Sequence, residues 1–306
     1  MSGRDVGRAT AGRVSAGALG DAGPVAAARV TKPHGGAVHT QVHPFEVRTN
    51  EPVAEGVWCM RCATPVAAEL EPGQFVNLQV PGDGSHLLRV PLSFSLADGA
   101  NELLELVYAV VGEGTERLSA MRPGDTSTLV GPCGNGWKMP SEANGRALLV
   151  AGGVGMPPVV ACARMLAQNG VGFDAIVGAQ TGSRHVEFLL DELRGMAPNE
   201  GCDCARKVVV CTDDGTLGVR GFTTAAMADL IADHPYEIIY TCGPQPMMAG
   251  VARLAAQRGV ACQASLERMM GCGFGACSCC NVELTAGGYA LCCKDGPVFD
   301  AREVVW

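Results

Sequence analysis

The residues best able to do chemistry lie near the C-terminus. Cys272, Cys277 and Cys280 are spaced C-x4-C-x2-C, and the pair Cys292-Cys293 follows. That is the spacing by which one loop offers three thiolates to a [2Fe–2S] cluster, with a distant cysteine completing the set. Gly271, Gly273 and Gly275 let such a loop curl without side-chain clashes and turn its N–H groups towards sulfur. On spacing alone, either Cys292 or Cys293 is the fourth ligand. Zinc is the competing reading. Zinc sites usually show paired short knuckles, and only one short pair belongs to this set. Cys279 and the scattered cysteines, such as Cys59, Cys162 and Cys211, read as bystanders or small core residues.

Two further loops are built to approach a nucleotide. Ala151-Gly-Gly-Val-Gly-Met-Pro-Pro158 follows an apolar strand and opens a helix, so Gly153 and Gly155 stand where a phosphate meets a helix N-terminus. Cys242-Gly243-Pro244 also closes an apolar strand. In an open α/β sheet, ligands lie outside the carboxyl ends of the strands, so Cys242 and Gly243 are expected to border a bound nucleotide. Thr181 and Asp213-Asp214 end two more strands, as ribose partners or as turn caps.

Upstream, Arg89-Val-Pro-Leu-Ser93 brings a cation and a hydroxyl together. A guanidinium pairs well with a pyrophosphate, and a hydroxyl with a ring or ribose. Gly112-Glu-Gly114-Thr115 offers a phosphate loop, and Gly131-Pro-Cys-Gly-Asn-Gly136 comes next. In this order, ahead of a nucleotide sheet, these turns fit a flavin-binding barrel.

The elements that must position these groups differ along the chain. From 36 to about 140, short strands such as Phe75–Val80 and Leu103–Val111 alternate with Pro-Gly and Asp-Gly turns, which predicts a small closed Greek-key barrel. From about 146, apolar runs alternate with helical stretches, which predicts a parallel sheet covered on both faces. From 267, glycine and cysteine take over. The expected domains are a disordered extension (1–35), a barrel (36–142), a nucleotide-binding α/β domain (143–260) and a cluster module (261–306). The fold class is thus β barrel plus α/β with a small C-terminal [2Fe–2S] module. The run from Ala147 to Ala167 is long and apolar, but its glycines, Pro157, Pro158 and Arg164 make it a strand, turn and helix, not a membrane span.

Composition excludes other classes. The 306 residues carry a net charge of −8 with no basic block, which argues against nucleic acid. The 15 cysteines follow no secretory signal and crowd the C-terminus, which argues for a reducing, cytoplasmic setting and not for a disulfide scaffold.

As a set, these motifs resemble the electron-transfer subunits of dihydroorotate dehydrogenase B, a ferredoxin–NADP reductase-like family. The segments that carry the likeness include Gly152-Gly-Val-Gly-Met-Pro-Pro158, Thr212-Asp-Asp-Gly215, Cys242-Gly-Pro-Gln-Pro-Met247 and Cys293-Lys-Asp-Gly-Pro-Val-Phe299. The resemblance implies an FAD barrel, an NAD-binding domain and a [2Fe–2S] module. It assigns Arg89 and Ser93 to the flavin motif, Gly114 and Thr115 to the flavin phosphate loop, and Cys293 to the fourth ligand position. It implies a pyrimidine-biosynthetic oxidoreductase subunit without a catalytic base of its own. Its partner would be an FMN-containing dihydroorotate dehydrogenase subunit in a heterotetramer, with electrons exchanged with NAD(H). The Arg89-Val90-Pro91 run is closer to subunits of sulfide dehydrogenase and NADH-dependent ferredoxin:NADP oxidoreductase, which form the alternative. Cys272 as a first ligand favours the dihydroorotate family. A flavin and iron–sulfur redox sensor is the alternative from another class.

Overall fold

The computed structural model describes residues 40–82, 84, 86–141, 145–196 and 207–306. The extension at 1–35, Cys202 and Cys204 lie outside the described residues.

The N-terminal sheet contains β1 (Gln41–Ala54), β2 (Val57–Ala63), β3 (Phe75–Leu78), β4 (Val90–Ser93), β5 (Leu96–Asp98), β6 (Leu103–Ala109) and β7 (Thr126–Cys133), with the short helix α1 (Glu113–Ser119) between the last two. The strand order is β4-β3-β7-β1-β2-β6-β5, and every pairing is antiparallel. Its two edges, β4 and β5, are successive in the chain and separated only by Phe94 and Ser95, so the sheet curls into a half-barrel. Side chains alternate along the strands: Met60, Cys62, Leu104 and Leu106 join Val76 and Leu78 in the barrel core.

The second sheet follows as β8 (Ala147–Gly152), α2 (Met156–Gln168), β9 (Phe173–Ala179), α3 (Glu187–Gly195), β10 (Val208–Thr212), β11 (Val219–Arg220), α4 (Thr223–Asp233), β12 (Ile238–Cys242), α5 (Gln245–Arg258) and β13 (Ala261–Ser265). The hairpin of β14 (Asn281–Glu283) and β15 (Tyr289–Leu291) precedes β16 (Val298–Asp300). The order is β11-β10-β9-β8-β12-β13-β16. Strand β8 shows why both faces need helices. Leu149 and Ala151 pack with α2 and α3, while Leu148 and Val150 pack with α4 and α5. The apolar run from 147 is therefore a buried strand, a glycine turn and α2. No helix among the described residues is long and apolar enough to cross a membrane.

The C-terminal segment does not hang free of the nucleotide sheet. Strand β13, which a boundary at 261 gives to the cluster module, pairs in parallel with β12, and β16 returns antiparallel along β13. We place the start of the module after Ser265. One core joins all parts: Phe75 and Cys133 of the barrel, Leu148 and Val150 of the sheet, and Cys280, Cys292 and Cys293 of the module.

A buried charge pins the far end of the sheet. The Asp174 carboxylate accepts from Arg146 Nε (2.9 Å) and Nη2 (2.7 Å), from the Tyr236 hydroxyl (2.6 Å) and from Lys207 N (2.7 Å). Burial alone would raise its pKa, but these donors hold the carboxyl below the usual range.

Candidate functional site

The sheet order reverses between β8 and β12, the switch point where such sheets bind ligands. Cys242 lies opposite Ala151 there. The two expected loops meet: a Cβ on Gly155 would stand 2.6 Å from Gly243 N and closer still to the Cys242 carbonyl. Gly243 adopts φ +150° and in turn crowds Gly152, a conformation that only glycine holds easily. Gly153, at φ +53°, turns the chain into α2 with open space beside it. The start of α2 is poorer in donors than its glycines suggest, because Pro157 and Pro158 carry no N–H. The close approach of the two loops is what the glycines make possible. Burial pushes the Cys242 thiol up to about 12, so it presents a neutral sulfur at this junction. Of the two acids after β10, Asp214 caps its own turn by accepting from Thr216 N (3.0 Å) and Oγ1 (2.7 Å). The Asp213 side chain forms no hydrogen bond among the described residues.

The cysteine loop curls as its glycines require, with φ +83° at Gly273 and +88° at Gly275. Among the described residues, no three His, Cys, Asp or Glu side chains converge as a single-ion site. The thiols stand instead as two pairs: Cys272 with Cys277, and Cys280 with Cys293. Two thiols for each of two irons is the demand of a [2Fe–2S] cluster, so the donor set fits that group. Backbone N–H groups already point at the sulfurs: Ala276 N to Cys272 Sγ (3.2 Å), Cys272 N to Cys277 Sγ (3.4 Å) and Cys293 N to Cys280 Sγ (3.4 Å). Burial pushes the Cys272 thiol up, but N–H groups including those of Phe274, Cys277 and Ala276 outweigh it and bring it down to about 7. Burial and the neighbouring Cys280 push Cys293 up to about 12. The two candidates left open by spacing now differ. Cys293 faces Cys280, whereas Cys292 is buried in the core and donates to Leu266 O (3.3 Å). Cys279 is exposed and outside both pairs.

On the barrel, Arg89 directly precedes β4 and Ser93 ends it. The Arg89 guanidinium donates to Thr128 O (3.0 Å) and Thr128 Oγ1 (3.1 Å). It has no carboxylate partner among the described residues, and partial burial lowers its pKa. A half-buried cation held only by neutral acceptors suits an anionic pyrophosphate. Ser93 pairs with Phe75 across the sheet. Gly114 packs its Cα against Val90 and His86, where a Cβ would come within 2.8 Å and 3.0 Å. The Thr115 hydroxyl accepts from Val111 N (3.0 Å) and Gly112 N (3.2 Å), so it shapes the loop from within. Cys133 lies close enough to Arg89, Cys272 and Cys293 to feel the charge of each, and so stands between the flavin motif and the cysteine pairs.

Residues 267–305 match the iron-sulfur cluster binding domain of dihydroorotate dehydrogenase B, and residues 149–253 match the oxidoreductase NAD-binding domain. The electron transfer subunit of dihydroorotate dehydrogenase B (NAD(+)) from Geobacillus sp. (strain WCH70) is 35% identical over 260 residues, covering 84% of this chain and 95% of the relative. The chain belongs to this family of dihydroorotate dehydrogenase B electron transfer subunits. The family member from Geobacillus kaustophilus (strain HTA426) is 37% identical over 238 residues, or 77% of this chain and 87% of the relative. Among solved structures, the NADH-dependent reduced ferredoxin-NADP oxidoreductase is similar at 29% identity and TM-score 0.73, over 90% of this chain and 92% of that one. The ferredoxin reductase of carbazole 1,9a-dioxygenase, at 22% identity and TM-score 0.62, shares the fold.

Two residues of this dihydroorotate dehydrogenase B family member escaped the sequence reading. Asn135 clamps the cluster module to the barrel, donating from Nδ2 to Asp295 O (2.8 Å) and Val298 O (3.1 Å) and accepting from Val298 N (3.1 Å). Its signal was present, an Asn between glycines at the end of a strand. Asn77 is buried on β3 with neither end of its carboxamide paired, and an isolated Asn in an apolar strand is the only sign of it.

Proposed function

We propose that this chain passes electrons between NAD and a dihydroorotate dehydrogenase catalytic subunit that carries FMN. It carries FAD and a [2Fe–2S] cluster and takes NAD as co-substrate. The observation that supports this best is the junction of parts. Cys280 and Cys293 share one packed core with Phe75 and Cys133 of the barrel and with Leu148 and Val150 of the strand that leads to the switch point, and Cys133 in turn lies near Arg89.

Arg89, Ser93, Gly114 and Thr115 would hold FAD. Cys272, Cys277, Cys280 and Cys293 would hold the cluster. When bound, FAD exchanges two electrons as hydride with a nicotinamide and single electrons with an iron–sulfur centre. The chain's own part is placement. Gly153, Gly155 and Gly243 keep side chains out of the switch point, so that a flat ring can lie against backbone. Cys242 lines that space with a neutral sulfur. The N–H groups of the cysteine loop oppose negative charge on the thiolates.

The cluster-bearing segment leaves Met269, Phe274 and Tyr289 exposed, large apolar side chains suited to meeting a second protein. We read the assembly as a heterotetramer. Its cytoplasmic placement rests on the many free cysteines, which a reducing compartment keeps as thiols.

The test is reconstitution. The isolated chain should oxidise NADH with a dye acceptor and leave dihydroorotate untouched. Adding an FMN-containing dihydroorotate dehydrogenase subunit should give NAD-linked dihydroorotate oxidation. Cys277→Ser should abolish that coupling and spare the dye reaction. Dihydroorotate oxidation by the chain alone, or full coupling in the cysteine variant, would defeat the proposal.

A further inference from the structure

Strand β3 sends alternate side chains to two different places. Val76 and Leu78 enter the barrel core, and Phe75 enters the core shared with Cys280, Cys292 and Cys293. Asn77 lies two residues beyond Phe75, on the same face. It is 0% exposed, and neither Nδ2 nor Oδ1 has a hydrogen-bond partner. Its cross-strand neighbours are Val130 and Pro91, which offer no side-chain polar group. Nδ2 rests on the cysteine loop: a Cβ on Gly273 would stand 2.8 Å from it. Gly273 directly follows Cys272, and its φ of +83° carries the loop past the carboxamide.

An apolar residue would fill this slot without stranding a donor and an acceptor, so the fold itself has no need of an amide here. We propose that Asn77 is a positioning residue for the [2Fe–2S] group, its amide N–H donating to a sulfur at the Cys272 end of the cluster. This rests on the cysteine assignment above. A thiolate or sulfide sulfur only accepts, so the donor end of the carboxamide is the one turned towards it. The oxygen end takes its donor from water. Hydrogen bonds to cluster sulfurs favour the reduced, more negative state and raise the reduction potential.

The experiment uses the FAD- and cluster-loaded chain with Asn77→Leu and the smaller Asn77→Ala. Iron and flavin contents are measured first, then the cluster's potential by EPR-monitored redox titration and the flavin's by its visible spectrum. Both variants should keep FAD. The cluster should become harder to reduce by at least threefold in its equilibrium, about 28 mV downward at 59 mV per tenfold for one electron. Its EPR line shape should change, with the flavin potential in place. Loss of iron with FAD retained would support the same contact. An unmoved cluster potential, a shift confined to the flavin, or loss of FAD with iron retained would overturn the proposal. A parallel Cys277→Ser sample separates the two assignments, because a cluster surviving there would defeat the ligand set whatever Asn77 does.

Discussion

Gly155→Ala tests whether the switch point is the nucleotide site. The backbone at 155, with φ −75° and ψ −5°, suits alanine, so no conformational strain is added. The effect is steric alone. The new methyl would stand 2.6 Å from Gly243 N and nearer still to the Cys242 carbonyl, where 3.4–4 Å is ordinary contact. Its neighbours are backbone atoms, held by the pairing of β12 with β8 and β13. Relief therefore requires the two loops to part by roughly 1 Å, and overpacking of this kind costs about 1–3 kcal/mol. Where nucleotide binding restores the parted loops, that cost appears as a loss of NADH affinity of about 5–150-fold. The assay is the KM for NADH in dye reduction and the Kd by flavin quenching, with FAD content, cluster absorbance and melting temperature as controls. Weaker NADH binding with cofactor contents unchanged is expected. A lowered melting temperature with normal NADH affinity would place the nucleotide elsewhere, and no change in either would refute the close approach itself.

Other outcomes follow from the same geometry. Cys277→Ser should remove the [2Fe–2S] absorption and EPR signal, whereas Cys279→Ser should leave both largely intact; equal loss from the two would sink the pairing. Arg89→Ala removes a half-buried cation with no carboxylate partner among the described residues and should weaken FAD binding by roughly 1.5–3 kcal/mol, so an unchanged FAD dissociation constant would place the pyrophosphate elsewhere. Asp174→Asn removes the buried carboxylate that pairs with Arg146 and should cost about 3 kcal/mol of stability in denaturant melts near neutral pH. Because the folded-state pKa of Asp174 is depressed, its contribution is complete above the unfolded value of about 3.9 and is lost as pH falls through the lower folded value. The gap between parent and variant should therefore narrow as pH falls below the unfolded value, and a gap that stays constant with falling pH would show that Asp174 acts otherwise.

Local pattern carried much of this protein. The apolar runs and helical stretches from 147 to 266 coincide with β8, β9, β10, β12, β13 and their helices to within a residue or two, because each buried strand or helix face must be written locally in its own period, whereas the two exposed residues of β11 gave no run. The C-x4-C-x2-C loop was legible for the same reason: three thiolates and the intervening glycines lie within nine residues of one another. What sequence left open depended on partners far away in the chain. Cys292 and Cys293 are adjacent and chemically equal, and only the turn after β15 sends one sulfur to Cys280 and the other to Leu266. Spacing does not reveal that Gly155 touches Gly243, since that contact exists only where the order of parallel strands reverses. The return of β16 onto β13 was hidden too, because three residues are too few to show a period. Asn77 is the clearest case. Its type was plain in the sequence, but its meaning comes from complete burial against Gly273, a contact made across almost two hundred residues by the packing of the cluster module on the barrel.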